Sequence, residues 1–299
     1  MKKKKTKRKP IRHRPKSKAK KRYLFLVLVP LVALFVLYFS YLIFGHRLDL
    51  KNNKTINNSN TNSFSQNANT NENIGTHEDR TNTPILMYHH IRINPKSDNK
   101  IEQGLDVAPE NFEAEMRYLN EKGYKTISLN DLFVKKDKDF VITFDDGYKD
   151  VVDSALPILK KYNFTAAIFI ITDKVGTDGY LTWDDINILK NAGWEVGSHT
   201  LSHPNLVTEN PEKAKTEIYQ SKKILEEKLS SPVIYFCYPS GKFNKDVENM
   251  VSGAGYVMAL TTQFGKNNQK SDMLLLKRVR VSGQESQEKF QENIAKENI

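Results

Sequence analysis

The chain has 299 residues, with 46 Lys and Arg against 35 Asp and Glu, yet its formal net charge of +11 is the property of one end. Residues 1–22 hold 14 basic and no acidic side chains, leaving 32 basic against 35 acidic groups, which excludes a basic nucleic-acid-binding surface on the folded part. The one cysteine, Cys237, excludes an intramolecular disulfide, so the fold must be held by its core.

After this basic tail comes Tyr23 to Phe44, 22 residues without a charge and long enough to cross a hydrocarbon core as a helix. Basic residues crowded on its N-terminal side predict a single-pass anchor in the cell membrane, with the N-terminus cytoplasmic and everything beyond Gly45 outside. A cleaved signal usually carries an apolar stretch of only about 7–15 residues and a small-residue exit, whereas this run ends Leu42-Ile43-Phe44-Gly45-His46. Residues 45–82, rich in Asn, Ser and Thr from Lys51 onward, bury too little apolar surface to become ordered and predict a disordered stalk. Roughly 35 flexible residues would reach on the order of 30–35 Å.

The folded unit is expected at 83–299. Pro84 to Tyr88 reads as a strand, Pro109 to Lys122 as a helix with Phe112, Met116 and Leu119 on one face, and Tyr124 to Ile127 and Phe140 to Phe144 as strands. Asp150 to Tyr162 reads as a helix that Pro157 must kink or restart. Next come a strand over Phe164 to Ile171, a helix over Trp183 to Asn191 and a strand over Trp194 to Gly197. A long helix from Glu212 to Leu229, a strand from Val233 to Tyr238 and a helix from Asp246 to Gly253 follow, and strands at Tyr256 to Leu260 and Leu274 to Val281 end the pattern. Strands alternating with helices predict an α/β fold on a parallel sheet, open or closed.

Two stretches carry chemistry. Thr143-Phe144-Asp145-Asp146-Gly147 delivers adjacent carboxylates from the end of a buried strand, where ligands of α/β domains sit. Ser198-His199-Thr200-Leu201-Ser202-His203-Pro204 adds two imidazoles four residues apart after another strand. Two His and one Asp suit a divalent metal with an open position, and the remaining Asp suits a general base; the pattern alone leaves open which Asp does which. Taken singly, the carboxylates could equally cap a turn and the histidines be ordinary loop residues.

With Tyr238-Pro239-Ser240-Gly241, these stretches resemble in order and spacing the first three motifs of the polysaccharide deacetylases (carbohydrate esterase family 4), over roughly Pro84 to Gly283. The resemblance implies a distorted, incomplete (β/α) barrel, Asp145 as general base, and Asp146, His199 and His203 as ligands of Zn, with Co or another first-row ion compatible. It implies that Tyr238, Pro239, Ser240 and Gly241 wall the groove and lend a backbone N–H to the developing oxyanion. The substrate implied is a GlcNAc-containing polymer, poly-N-acetylglucosamine or peptidoglycan, that loses N-acetyl groups. Removal of O-acetyl groups, or a degenerate glycan-binding module, are the alternatives.

Two positions depart from the family. Its Arg two residues before the Pro, which in the family orients the catalytic carboxylate, is Cys237 here, and its late His, the family's general acid, has no counterpart, because no His follows His203; the last strand offers Lys277-Arg278-Val279-Arg280 instead. His89 and His90, at the end of the first strand, are candidates to replace that group, with His90 the residue named for catalysis. Tyr148 and Trp183 are candidates to stack on sugar rings, although Trp183 also suits the core and Thr182 a helix cap. The Tyr88-His89-His90 opening resembles the branch of the family acting on poly-N-acetylglucosamine.

Overall fold

A computed structural model describes residues 82–94, 99–134 and 138–296; the predicted tail, the 23–44 anchor and nearly all of the stalk lie outside them. Among the described residues no helix is long and apolar enough to cross a membrane.

In chain order the elements are β1 (Ile85–Tyr88), β2 (His90–Ile91), α1 (Lys100–Leu105), β3 (Asp106–Val107), α2 (Pro109–Glu121), β4 (Lys125–Thr126) and β5 (Asp139–Phe144). Then come α3 (Leu156–Lys161), β6 (Ala167–Ile170), α4 (Trp183–Asn191), β7 (Glu195–Ser198), α5 (Pro211–Leu229), β8 (Tyr235–Cys237), α6 (Lys245–Gly253), β9 (Met258–Phe264), β10 (Leu276–Arg280) and α7 (Gln287–Ala295). All sheet pairings are parallel. The order β1-β10-β9-β8-β7-β6-β5 returns to β1 through the β1–β5 ladder, so seven strands close a ring, and β4 pairs with the start of β5 outside it. One strand fewer than a complete (β/α) barrel agrees with the incomplete barrel expected.

Alternation along each strand divides the core in two. Ile85, Val141, Ala167, Phe169, Tyr235, Cys237 and Leu276 form one cluster, which Leu129 and Leu132 join. Leu86, Tyr88, Ile142, Phe144, Ile168, Phe236 and Val279 form the other, against helices that include Phe112, Met116 and Leu119 of α2. Both faces of β1 and β5 are buried, which is why these strands read as unbroken apolar runs. Gly197 is required by this packing: a Cβ there would stand 2.4 Å from Phe169 Cε1.

Pro157 acts as the sequence predicts. A π-helical turn, Val151–Ala155, precedes α3, and Pro157 falls in the first turn of α3, where its missing N–H costs no helix bond. Three elements escaped the sequence reading: the β2–β3 ribbon, α1 and α7.

Between barrel and helices, Tyr88 Oη donates to Glu115 Oε2 at 2.7 Å. Burial raises the Glu115 carboxyl from its usual 4.5 to about 8, with the Tyr88 hydrogen bond opposing and Glu285 adding to the rise. A folded-state pKa above the unfolded one means that the proton stabilises the fold. The contribution is therefore complete below pH 4.5 and is lost as pH rises through about 8. The unfolding free energy of the wild type from urea titrations should fall across that window by an amount on the order of a few kcal/mol relative to Glu115→Gln, whose profile stays flatter there.

Candidate metal and catalytic site

The same alternation that fills the barrel continues past the strand ends. Positions 85, 87 and 89, 141, 143 and 145, 235 and 237, and 276 and 278 each follow one face, so His89, Asp145, Cys237 and Arg278 converge at the C-terminal mouth of the barrel, with His199 just beyond β7. Asp145 N–H donates to Tyr88 O at 3.0 Å and His199 N–H to Ile170 O at 2.9 Å, so the ladder positions each residue until the chain leaves the sheet.

There the backbone is bent hard. Asp146 (φ 72°), Thr200 (φ 68°), His203 (φ 64°) and Ser240 (φ 53°) are all left-handed non-glycine residues. Each costs roughly 1 kcal/mol or more relative to ordinary backbone, and four around one mouth mark a built site. The His199–His203 loop is strapped down by Glu217 of α5, which accepts from Ser202 N at 2.9 Å and Ser202 Oγ at 2.7 Å, while His203 N–H donates to Thr200 Oγ1 at 3.0 Å.

Asp146, His199 and His203 are brought together. His199 Nε2 lies 3.4 Å and His203 Nε2 3.7 Å from Asp146 Oδ1. Ligand bonds of about 2.0–2.1 Å in a tetrahedron imply edges of about 3.4 Å, so the set fits a metal ion. His199 Nδ1 donates to Cys237 O at 2.7 Å, which leaves the Nε2 lone pair facing the carboxylate. Two acceptors at that separation call for a cation or a proton between them. Burial lowers the His199 pKa, but Cys237 and the Asp146 carboxylate outweigh it and hold it well above the usual value.

Asp145 is held differently. Arg278, fully buried on β10, grips it as a fork, Nη1 to Oδ1 and Nη2 to Oδ2 at 2.7 Å each. The guanidinium is fixed in turn by Thr261 O at 2.9 Å and Thr143 Oγ1 at 3.1 Å. Burial would raise the Asp145 pKa, and Arg278 overrides it, so the carboxylate is ionised throughout the neutral range. This is the function for which the resemblance expected an Arg at position 237. Cys237, buried and free, packs with Sγ 3.2 Å from Arg278 Nη2, so the cation reaches the same carboxylate from another strand. The signal was present in Lys277-Arg278-Val279-Arg280: adjacent charges on a strand face opposite ways, so one of Lys277 and Arg278 must point inward.

The two candidate histidines separate. His89 points into the mouth, Nε2 3.9 Å from Asp145 Oδ2, and burial lowers its pKa. His90, the residue expected to take part in catalysis, faces the opposite way, as the next residue of an extended chain must. Its Nδ1 lies 2.6 Å from Asp150 Oδ2, and its ring stacks on Tyr148 with centroids 3.5 Å apart. The imidazole that the fold delivers to Asp145 is thus His89.

The Tyr238–Gly241 loop also divides. Tyr238 turns its ring into the helix layer beside Phe236 and Phe243, away from any groove. Its N–H is spent on Leu260 O at 3.1 Å, Pro239 has none, and Gly241 N–H is spent on Tyr238 O at 2.8 Å. Ser240 supplies the remaining amide of the four. Gly241 (φ +67°) is obligatory, since a Cβ would stand 2.0 Å from Thr262 Oγ1. Tyr148 packs its ring between those of His90 and Tyr180, with centroids 3.5 and 5.0 Å away. Trp183 packs against the core with Lys228 Nζ 5.6 Å from its ring, and Thr182 closes a capping box with Asp185.

Comparison with known proteins agrees with this geometry. A family model described as polysaccharide deacetylase matches residues 134–259. YxkH of Bacillus subtilis (strain 168), named for the same family, is 34% identical over 206 residues, 67% of this chain and 71% of that protein. A poly-beta-1,6-N-acetyl-D-glucosamine N-deacetylase of Staphylococcus aureus (strain MRSA252) is 28% identical over 198 residues, 57% of this chain and 68% of that one. Among solved structures, the Streptococcus pyogenes deacetylase PplD in complex with acetate superposes with a TM-score of 0.66 at 28% identity, covering 72% of this chain and 98% of its own. Barrel, motif order and relatives together establish that the chain belongs to the polysaccharide deacetylase family.

Proposed function

We propose that this protein is a metal-dependent N-deacetylase of a GlcNAc-containing cell-surface polysaccharide, poly-N-acetylglucosamine or peptidoglycan. The reaction breaks the amide C–N bond, forms a C–O bond from water, and yields acetate and a free amine on the glycan. The observation that carries the reading is the pairing, within one mouth, of a carboxylate kept ionised by Arg278 with an Asp-His-His set whose acceptors face one another.

Asp146, His199 and His203 would hold the metal, and Zn suits them, with other first-row ions compatible. Bound there, it would polarise the acetyl carbonyl and lower the pKa of water. Asp145 takes the water proton as general base, its two oxygens aimed by the Arg278 fork. Ser240 N–H bonds the acetyl oxygen as negative charge develops, a role indifferent to the side chain. His89, neutral in its buried position, accepts the proton from Asp145 and passes it to the departing nitrogen. The Staphylococcus aureus relative supports poly-N-acetylglucosamine as the first polymer to try. The charge asymmetry around residues 23–44 supports a catalytic unit held outside the cell by a membrane anchor, acting on glycan and not on nucleic acid.

The test is acetate release by the full-length protein from β-1,6-linked N-acetylglucosamine oligomers and from peptidoglycan, with chelator and with added Zn. Release that chelator removes, Zn restores and Asp145→Asn lowers by at least about a thousandfold is the expected outcome, in line with loss of a general base. Release only from O-acetylated glycan would replace the amide reading with the ester one.

A further inference from the structure

We infer that Asp150 is a positioning residue for the reaction: it clasps the chain just beyond His89 and so fixes the aim of that imidazole at Asp145. The inference rests on the deacetylase reading above, in which His89 carries the proton to the departing nitrogen. His89 sits at a junction, between the apolar strand β1 that ends at Tyr88 and the short ribbon strand β2 that begins at His90. Two tethers hold the chain on either side of it. Before His89, Asp145 N–H donates to Tyr88 O at 3.0 Å. After it, Asp150 brackets the next two residues: His90 Nδ1 donates to Oδ2 at 2.6 Å and Ile91 N–H to Oδ1 at 2.8 Å. Both tethers come from residues 145–150, the segment that also carries the base and a candidate ligand, so a shift of the His89 backbone relative to Asp145 strains one of them.

The use made of this carboxylate is unusual for its place in the chain. Asp150 stands at the N-cap of the π-helical turn Val151–Ala155, where an Asp ordinarily bonds the first free amides of its own helix. It makes no such bond. Both oxygens are spent instead on residues 90 and 91, some 60 positions away in sequence, which a helix cap has no reason to do. The turn itself is of a rare kind that recurs at functional sites.

Everything around the clasp is fixed in turn. The His90 ring is held at its edge by Asp150 and on its face by Tyr148, two residues earlier in the same segment, with centroids 3.5 Å apart. The ribbon strand pairs with β3, His90 opposite Asp106 and Ile91 opposite Val107, and Arg92 Nε donates to Asp106 Oδ1 at 2.7 Å. On the other flank Lys149 N–H donates to Gly179 O at 3.0 Å, and Val151 is fully buried. His90 and Asp150 are themselves largely shielded, so water competes poorly for their bond. Such rigidity has a use here, because His89 Nε2 stands 3.9 Å from Asp145 Oδ2, just beyond hydrogen-bond length. Proton transfer across that gap is decided by small displacements, and a misplacement of about 1 Å can cost on the order of a hundredfold in rate.

The test uses the full-length protein and two readouts. In Asp150→Ala, kcat for acetate release from β-1,6-linked N-acetylglucosamine oligomers is expected to fall roughly 10- to 100-fold at unchanged KM, since the clasp aims a proton carrier and holds no substrate. Asp150→Asn keeps both contacts, its oxygen accepting from Ile91 N–H and its amide donating to the other tautomer of His90, and should retain most of the rate. In a His89→Ala background, already slow, Asp150→Ala should cost less than about twofold more, because the residue it positions is gone. The second readout does not depend on turnover: the ring signals of isotope-labelled histidines in the metal-free protein. The His89 signal should be displaced or broadened in Asp150→Ala and unmoved in Asp150→Asn. Should Asp150→Ala not fold, His90→Ala removes one of the two bonds and carries the same comparisons. A rise in KM alone, a full further loss in the His89→Ala background or an unmoved His89 signal in the alanine variant would overturn the inference. A His89 signal that moves as expected, in a protein whose zinc-loaded wild type releases no acetate, would sink the deacetylase reading and leave the clasp standing.

Discussion

Arg278→Leu is expected to remove activity and about 3–5 kcal/mol of stability together, the cost of leaving the Asp145 carboxylate buried without its partner. Both partners are almost wholly buried and share two bonds of 2.7 Å, so no water is at hand to replace the guanidinium. Arg278→Lys keeps the charge but not the fork, and acetate release should still fall at least about tenfold, because a single ammonium cannot bond both carboxylate oxygens, Thr143 and Thr261 at once. The double variant Asp145→Leu/Arg278→Leu separates the two roles. Replacing both charges by apolar groups should recover most of the lost stability while activity stays absent. Urea unfolding and acetate release on the four proteins read this directly. A double variant no more stable than Arg278→Leu would show that the arginine is needed for packing and not as a counter-ion.

The second large effect is expected from the metal. Zn at about 100 times its dissociation constant should stabilise the fold by about 2.7 kcal/mol, which for a unit of this size is a rise in melting temperature of roughly 5–10 °C. The rise should vanish in His199→Ala, which removes a proposed ligand whose ring faces Asp146 and is held by Cys237 O. It should also shrink as pH falls through the imidazole range, because the ligands bind metal only after losing their protons, and His199 holds its proton more tightly than usual. Melting curves with and without chelator at several pH values check all three statements. An equal rise in His199→Ala would place the ion elsewhere.

Which parts of this site are readable from sequence follows from how each part is made. Asp145, Asp146, His199 and His203 lie within short contiguous stretches, and each stretch ends a strand that betrays itself by an apolar run. The barrel was legible for the same reason in β1, β5, β6 and β8, which are buried along their whole length. Arg278 was visible but unassigned. Its partner is 133 residues away, and only ring closure shows that position 278 and position 145 share the interior. His89 and His90 were inseparable in sequence because the difference between them is one step of strand alternation, which depends on where β1 begins. The β2–β3 ribbon has two residues per strand and no period to detect, and α7 contributes only Phe290 and Ile294 to the core from its apolar positions. Ser240 was legible as a motif position, but its distinction from its neighbours depends on which amides the sheet and turn consume.

The position of β10 also governs when the site comes into being. All the predicted metal ligands are synthesised by residue 203, yet the strand that bears Arg278 is the last of the ring and joins β9 to β1. A chain emerging from the ribosome therefore carries its proposed ligand set long before its proposed base has a counter-ion. Until some 280 residues are made, Asp145 lacks the partner that ionises and aims it. On the proposed mechanism, competence is tied to completion of the barrel, and a chain clipped or stalled before β10 would keep the TFDDG, HTLSHP and YPSG motifs while lacking the counter-ion of Asp145.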